Sequence, residues 1–481
     1  MGQREDDERK RLTRMPRQGA IVAVLAIAGL ASSFMFTLVV PIQAKLPELL
    51  HASRDDTAWV VTATLLAAAV MTPIAGRLGD MYGKRRIVLV LLGALVLGSV
   101  IAALSSGIVG IIIGRALQGA VTGVVPLGIS ILRDVLHEDR VDSAIALISA
   151  TLGVGGAIGL PISAVITEYS DWHVLFWMAA ALGVVVFGLV SWIVPVSVLR
   201  TAGRFDYLGA IGLSVGLIGI LLAVSRGNEW GWASAPVLGC GLGGILVLLV
   251  WGWYELRIAQ PLLDLRVAAR RPVLLTNLAS VGMGFSLFAS NVVYPQQLEL
   301  PAETGSGFGL SLLAASLIVM PSGLVMMIIS PFSGRLAGTV GPKLLLVLGA
   351  IALIVAYGFT LLFDAAVWQL LVANIVIGVG IGFGYAAMPM LIMRSVPRSE
   401  TGASNGLNAL FRSLGTSTAA AVVGAVLATY ATDFHGTPVP TETAFTLSYV
   451  LGIGAAVAAL VLALFIPRHH DPHEVHPSLP E

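Results

Sequence analysis

Charged residues are scarce in this chain. Asp, Glu, Lys and Arg together make up 11% of its 481 residues, against about a quarter in an average soluble domain. With 57% hydrophobic residues, this composition excludes an ordinary soluble globule and indicates a polytopic membrane protein. The net charge of +1 leaves no basic surface that would attract nucleic acid. The single cysteine, Cys240, excludes an internal disulfide framework and a cysteine-based metal cluster.

Fourteen apolar runs divide the chain, each near the roughly 20 residues that cross a bilayer as a helix. They cover residues 20–42, 58–76, 87–105, 108–132, 143–167, 174–195, 207–224, 236–254, 273–296, 310–332, 344–363, 367–393, 402–431 and 444–466. Lys and Arg concentrate in the connections on the side of both termini, and only Lys45, Arg54 and Arg226 lie in the opposite connections. The positive-inside rule therefore predicts a multi-pass protein of the cell (plasma) membrane with cytoplasmic N- and C-termini.

Two glycine-bounded connections read alike and indicate an internal repeat. Residues 76–83 follow span 2, residues 334–341 follow span 10, and the same spacing carries Arg115 to the neighbourhood of Asn374. Duplicated helix bundles are common among membrane transporters, although Gly-rich helices also resemble one another by chance. We predict an all-α integral membrane protein of two six-helix bundles with two inserted helices. The predicted units are a cytoplasmic polar tail (1–18), an N-terminal half (19–200), the inserted pair (201–258), a C-terminal half (259–466) and a disordered cytoplasmic tail (467–481).

Two arginines within the apolar runs are the first candidates for a functional site. A guanidinium at the bilayer centre costs about 3 kcal/mol on insertion scales unless it faces a partner or water. Arg115 shares a helix face with Gln118, and Arg412 shares one with Asn408. We predict that both faces line a substrate cavity; the alternative is that each arginine extends harmlessly to the membrane surface. Further substrate-binding candidates, for which an interhelical hydrogen bond or core packing is the simpler explanation, are Gln43, Asn291, Tyr294 and Tyr385.

The connection after span 2 carries a candidate conformational latch. Its flanking glycines allow a tight turn, and Asp80 can sit on a positive helix N-terminus or pair with Arg85, Arg86 or Arg133. The predicted latch residues are Gly76, Asp80, Gly83, Lys84, Arg85, Arg86 and Arg133. A topology signal in a solvated loop is the alternative interpretation.

Small residues and a proline in span 5 predict a hinge or a tight helix seam. Gly155 and Gly159 let a neighbouring backbone approach closely. Pro161 removes a backbone donor and can bend the helix. Ordinary packing accounts for the same residues without a hinge.

Together these motifs resemble the major facilitator superfamily, and within it the fourteen-helix drug:proton antiporters. Gly76-x-Leu78-x-Asp80-x-x-Gly83-Lys84-Arg85 is similar to the superfamily signature between helices 2 and 3, residues 111–119 to its helix-4 motif, and residues 401–415 to a stretch of helix 13. Residues 153–161 resemble the exporters' helix-5 motif, but Leu160 separates its glycine from its proline. The resemblance covers residues 18–466. It implies a latch that stabilises the outward-open state, with Arg115 and Asp80 involved in proton coupling.

The usual carboxylate for proton transport is missing, since no Asp or Glu lies in the middle of an apolar run. Fourteen-helix multidrug exporters often carry an acid in helix 1, where this chain has Met35. Two buried arginines suit a neutral or anionic amphiphile better than a dication. Proton coupling must then use Arg115 with water or an acid near a membrane face. The candidate acids are Asp80, Asp134, Asp142, Glu168 and Asp171.

The leading hypothesis is a secondary active transporter that exports amphiphilic small molecules, drugs or lipophilic metabolites, by alternating access in exchange for protons. Two alternatives remain: uptake or facilitated transport of an organic anion without proton coupling, and a membrane sensor or binding protein. An enzyme is disfavoured because no close set of His, Cys, Asp or Glu offers a nucleophile or a metal centre. The expected partners are the amphiphilic substrate, protons and the lipid bilayer. We expect no nucleic acid, cofactor or metal, and a monomeric chain.

Overall fold

The computed structural model describes residues 18–39, 42–43, 46–196, 201, 203–434 and 437–467. Its fourteen long apolar helices confirm the fourteen predicted spans. They are α1 (Gln18–Thr37), α2 (Arg54–Tyr82), α3 (Lys84–Leu104), α4 (Ile108–Val135), α5 (Glu138–Tyr169), α6 (His173–Ile193), α7 (Tyr207–Trp230), α8 (Ala235–Glu255), α9 (Arg271–Glu299), α10 (Leu312–Val340), α11 (Pro342–Leu362), α12 (Val367–Ser395), α13 (Thr401–Thr429) and α14 (Glu442–Phe465). The predicted tails, apart from Gln18 and Pro467, lie outside the described residues.

An even number of spans places the start of α1 and the end of α14 on the same side, which we call the terminal face. Even-numbered helices end at this face. The other side is the opposite face, where a short antiparallel hairpin of β1 (Ala431–Phe434) and β2 (Thr437–Pro440) joins α13 to α14. A 3₁₀ turn at Ala120–Gly123 interrupts α4.

The two similar connections have similar backbone conformations. Gly83 has a φ of 104° and donates its N–H to the carbonyl of Gly79, and Gly341 has a φ of 81° and donates to the carbonyl of Ala337. Only glycine adopts such positive φ values at little cost. The repeat seen in the sequence of these two turns therefore extends to their shape.

The two halves meet along two helix pairs, α2 with α13 and α5 with α10. Glycines bring these backbones together, because a Cβ at Gly76 would collide with the backbone of Gly402, and one at Gly334 with that of Ser143. Inside the halves, α1 packs on α5 and α3 on α6, as α9 packs on α13 and α11 on α14. Both halves thus use the same helix pairing.

The inserted helices form a hairpin beside the α2–α13 pair. α7 and α8 approach closely because Gly216, Gly219 and Gly244 place no side chain between the two backbones. α7 also packs on α2 and α13. α8 turns large apolar side chains such as Leu242 and Leu246 outward, as a lipid-facing helix does.

We expect a methyl group at Gly334 to weaken closure of the terminal face. Overpacking against the Ser143 backbone costs about 1–3 kcal/mol, and since about 1.4 kcal/mol is a factor of ten, Gly334→Ala should slow transport about tenfold. Gly338, on the same helix, has open space at its Cβ position, so Gly338→Ala is the matched control and should transport normally. Initial rates in proteoliposomes at equal protein content measure both. Equal rates in the two variants would contradict the close contact.

Candidate functional site

The buried arginine of α4 is held by backbone carbonyl groups. Arg115 is 1% exposed. Its Nη1 donates to the carbonyl of Met35 in α1 (2.8 Å) and to Gln118 Oε1 (2.9 Å), and its Nε donates to the carbonyl of Val60 in α2 (3.3 Å). Gln118 donates in turn to Ser99 of α3 (2.8 Å). Met35 lies in the last turn of α1, where carbonyls lack helical partners and carry partial negative charge. Arg115 therefore ties α4 to α1 and α2, and Gln118 adds a tie to α3.

In the second half, a neutral side chain makes the corresponding hydrogen bonds between helices. Asn374 of α12 donates from Nδ2 to the carbonyls of Val319 (2.7 Å) and Ile318 (3.5 Å) in α10. By the internal repeat, α12 and α10 correspond to α4 and α2. Because an amide suffices there, the positive charge of Arg115 exceeds what helix packing requires.

A second polar cluster surrounds Arg412 of α13. Its Nη1 donates to Asn408 Oδ1 (3.3 Å), and its Cζ lies 5.0 Å from the ring centroid of Tyr385 in α12. Asn408 donates to Asn277 Oδ1 (3.0 Å) and Ser280 Oγ (2.7 Å) in α9. The guanidinium is thus held by one amide oxygen and one aromatic face, a cation–π arrangement.

Both clusters carry positive charge without a counter-ion. Within the described part of the chain, the ion pairs involve neither Arg115 nor Arg412. Arg412 is 8% exposed, and of its guanidinium donors only Nη1 has a hydrogen-bond partner among those residues. Buried charge without compensation is costly, whereas a carboxylate or phosphate matches a free guanidinium edge. The Arg412 cluster can therefore bind an anionic group.

The latch acid caps a helix of the other half. Asp80 Oδ1 accepts a hydrogen bond from the amide of Gly402 (3.2 Å) and Oδ2 accepts one from Ala403 (2.9 Å), in the first turn of α13. Free amides and the helix dipole favour a carboxylate at this position. Lys84 Nζ lies 4.0 Å from Asp80 Oδ1 and 2.5 Å from Asp134 Oδ2. The partners of Asp80 are thus a helix N-terminus and Lys84.

The predicted arginine partners of Asp80 lie elsewhere. Arg85 donates to the carbonyl of Ser191, Arg86 is exposed, and Arg133 donates to the carbonyl of Val396 at the end of α12 (3.3 Å). Of the two arrangements predicted for Asp80, the structure thus has the one on a helix N-terminus and not the one with these arginines, because the α13 amides and the nearer Lys84 occupy the carboxylate.

Further contacts join the two halves on the same side, and with the Asp80–Ala403 contact they form what we call the terminal gate. Ser130 donates to Thr401 Oγ1 (2.9 Å) and Arg394 donates to Asp142 Oδ2 (2.8 Å). Among the described residues, the hydrogen bonds between α1–α6 and α9–α14 all lie at the terminal face. The structure is therefore closed at that face. The sequence showed the charges of Asp142 and Arg394 but carried no signal that they pair.

The sequence model of the Major Facilitator Superfamily matches residues 25–420, which is most of the chain. The chain belongs to the major facilitator superfamily. It is a multi-pass membrane transporter of small molecules and not an enzyme, as the sequence predicts.

Relatives of this transporter include drug-resistance and export proteins. The lincomycin resistance protein LmrB of Listeria monocytogenes is 26% identical over 463 residues, which are 93% of this chain and 96% of the relative. The tetracenomycin C resistance and export protein of Streptomyces glaucescens is 26% identical over 399 residues, 80% of this chain and 71% of the relative. EfpA of Mycobacterium tuberculosis, an uncharacterized MFS-type transporter, is 27% identical over 481 aligned residues, 94% of this chain and 88% of the relative.

Solved structures share the fold of this transporter. The proton:xylose symporter XylE aligns with a TM-score of 0.63 at 13% identity, covering 94% of this chain and 96% of its own. The human organic anion transporter MFSD10 aligns with a TM-score of 0.62 at 14% identity, covering 92% and 100%. Identities this low support the fold alone, and the shared fold confirms the predicted all-α membrane architecture.

Three predicted substrate contacts of the transporter lie outside both arginine clusters. Gln43 follows α1 and is exposed, and Asn291 is exposed on α9. Tyr294 is buried, and its hydroxyl hydrogen-bonds with Thr360 Oγ1 (2.9 Å). Substrate binding by these residues stays a prediction.

The glycines of α5 form a seam with α1. A Cβ at Gly155 would collide with Ser33, and one at Gly159 with Thr37. Beyond Pro161, Ser163 donates to the carbonyl of Leu38 (2.5 Å) and continues the same contact. The predicted seam is thus visible as α1–α5 packing, and the hinge stays a prediction.

Proposed function

We propose that this transporter exports amphiphilic small molecules with an anionic or neutral polar group, such as drugs or lipophilic metabolites, in exchange for protons. The observation that carries the proposal is the Arg412 cluster, where a buried guanidinium has free donors and no carboxylate partner. An anionic group would supply the missing counter-charge, and the neighbouring Tyr385 ring offers apolar contact. The resistance and export proteins among its relatives support outward transport.

We place the terminal face in the cytoplasm of a cell bounded by the plasma membrane. The excess of Lys and Arg in the connections of that face supports this orientation. With the terminal gate closed, the structure then corresponds to a conformation that is closed to the cytoplasm.

For proton coupling we propose Asp80 and Arg115. Protonation of Asp80 would remove the negative charge that caps α13, and would thereby loosen the terminal gate. Arg115 contributes a positive charge that its helix tie does not require, and this charge would act on the transported proton through water. Both residues keep the roles that the family resemblance implied.

A second candidate is facilitated transport of an organic anion without protons. The same unpaired Arg412 supports it, and so does the lack of a carboxylate in the middle of a span. A sensor or binding protein is the third candidate. It would bind ligand without moving it.

The deciding experiment measures substrate-triggered proton movement in sealed proteoliposomes with an imposed pH gradient. Anionic, neutral and cationic amphiphiles are compared, with Arg412→Leu as the inactive control. Collapse of the gradient by anionic or neutral substrates, lost in the control, is the expected result. Flux without proton movement would leave facilitated transport, and saturable binding without flux would leave a sensor.

A further inference from the structure

Two carboxyl groups outside the arginine clusters lie buried at the terminal-face end of the inserted helices. Asp206 immediately precedes α7 and is 8% exposed, and Glu255 is the last residue of α8 and is 2% exposed. In the sequence each stands at the end of an apolar run, where an acid is normally solvated. Packing of α7 on α8 removes both from solvent instead.

The oxygens of the two carboxyl groups converge. A Cβ at Gly209 would touch both Asp206 Oδ2 and Glu255 Oε1, so the two oxygens flank the same point and only a glycine leaves room for them. Asp206 Oδ1 accepts hydrogen bonds from the Gly209 amide (2.9 Å) and the Tyr254 hydroxyl (3.2 Å). Asp206 Oδ2 and both oxygens of Glu255 accept none within the described chain, and the buried indole N–H of Trp251 is also unpartnered.

No lysine or arginine of the described chain forms an ion pair with either acid. The groups nearest Glu255 are Asp206 and three donors, the amides of Leu262 and Leu263 and the Trp251 indole, which face the carboxyl group without reaching hydrogen-bond geometry. Neighbouring titratable groups point elsewhere: Arg257 lies over the Trp253 ring (4.0 Å), the Arg266 guanidinium donates to the Leu256 carbonyl (3.0 Å), Asp264 caps the turn Leu265–Ala268, and Arg204 and Tyr207 are exposed. From α2 and α13, Ala69, Ala403 and Leu407 pack here. The charged side chains from this side are Arg77 of α2 and Glu400 next to α13, which line the neighbouring cavity with Leu262 and Leu263.

Two adjacent buried carboxylates without a cation repel each other, and a single proton shared between them removes the repulsion. We propose that Asp206 and Glu255 form a proton-binding pair that holds one proton between Asp206 Oδ2 and Glu255 Oε1. The pair lies on the inserted helices, whereas no Asp or Glu lies in the middle of an apolar run of the two halves. Its use in coupling rests on the proposed function, whereas proton binding itself does not.

The surroundings connect this pair to the terminal gate and to water. Leu262 and Leu263, whose amides face Glu255, share one apolar cluster with Ala69 of α2 and Ala403 of α13. The same loop lines a cavity of about 250 Å³ at the terminal face, together with Arg77, Gln260, Asp264, Glu400 and Ser404. Water that enters this cavity would give a proton a route to the loop, and movement of the loop would reach both helices that carry the gate.

Infrared difference spectroscopy on the full-length transporter in lipid nanodiscs tests the pair. Raising the pH should remove the carbonyl band of about one protonated acid per protein in the wild type. Glu255→Gln and Asp206→Asn should each lose this signal, and Asp139→Asn, whose side chain is exposed on the terminal face, should keep it. An unchanged band in both variants of the pair would overturn the proposal.

Two further measurements test whether the pair holds a proton or a metal cation. In the wild type, a hydrophobic carbodiimide should modify Glu255 or Asp206 at low pH and not at high pH, as mapped by mass spectrometry, which does not depend on how a variant folds. Absence of labelling at both residues would overturn the proposal. Binding of Na⁺ or Ca²⁺ in calorimetry, lost in Glu255→Gln, would also overturn it, because the occupant would then be a metal cation.

Coupling is tested separately in proteoliposomes. Glu255→Gln should lower the ratio of protons to substrate moved at least about tenfold if the pair carries the coupling proton. An unchanged ratio would overturn the coupling role. Absence of proton movement in the wild type would contradict the proposed function. Proton binding by the pair would then still be decided by the infrared result.

Discussion

Arg412→Leu strongly reduces transport of anionic amphiphiles and leaves the amount of folded protein near that of the wild type. The guanidinium has one hydrogen-bond partner, Asn408, which keeps its own contacts to Asn277 and Ser280. Loss of a charge-assisted hydrogen bond to substrate costs about 1.5–3 kcal/mol, and about 1.4 kcal/mol is a factor of ten. We therefore expect transport to fall by about 10- to 100-fold. Uptake into inverted vesicles measures transport, and size-exclusion chromatography measures the amount of folded protein to which the uptake is normalised.

The matched comparison is the second buried arginine. Arg115→Leu removes three hydrogen bonds, two of them to carbonyls of α1 and α2, so both transport and folded yield should fall. Arg412→Lys keeps the charge and should retain part of the transport of anions. Normal anion transport by Arg412→Leu would show that this side chain does not bind substrate.

Asp80→Asn weakens the terminal gate and slows exchange about tenfold, with a smaller change in substrate affinity. The carboxylate caps α13 through two amides and lies beside Lys84, whereas an amide has one acceptor and no charge. A charge on a helix N-terminus in a partly buried geometry contributes up to about 2 kcal/mol. Because the contact exists only while the gate is closed, its loss acts on the conformational equilibrium.

Distances across the gate provide the measurement. Spin labels at Tyr82 and Ser399, which are both exposed, in a Cys240→Ser background, should report a larger fraction of long distances in Asp80→Asn. Asp139→Asn serves as the control, since that acid is exposed and its ion pair in the described part of the chain is with His137 of its own segment. A large loss of affinity with unchanged distances and exchange would contradict the latch.

The latch illustrates what the sequence could and could not predict. The motif of residues 76–85 and the charge of Asp80 predict an anion at a helix N-terminus, but the helix in question begins at Thr401, far along the chain. Its identity requires the packing of α2 on α13. The same holds for Asp206 and Glu255, because each looks like a solvated acid until α7 and α8 close around Gly209. Gln43 was predicted from polarity alone, which does not distinguish a cavity wall from an exposed connection.

The sequence by itself determined the number of helices, the internal repeat and the superfamily, because apolar length, glycine spacing and the placement of positive charge are local properties that the bilayer selects directly. Only the tertiary structure decided which charges are paired. Ion pairs, caps and unpartnered groups depend on which helices lie side by side. That arrangement left Arg412 without a counter-ion among the residues that the structure describes, gave Asp80 the N-terminus of α13, and brought two acids together at the end of the inserted pair.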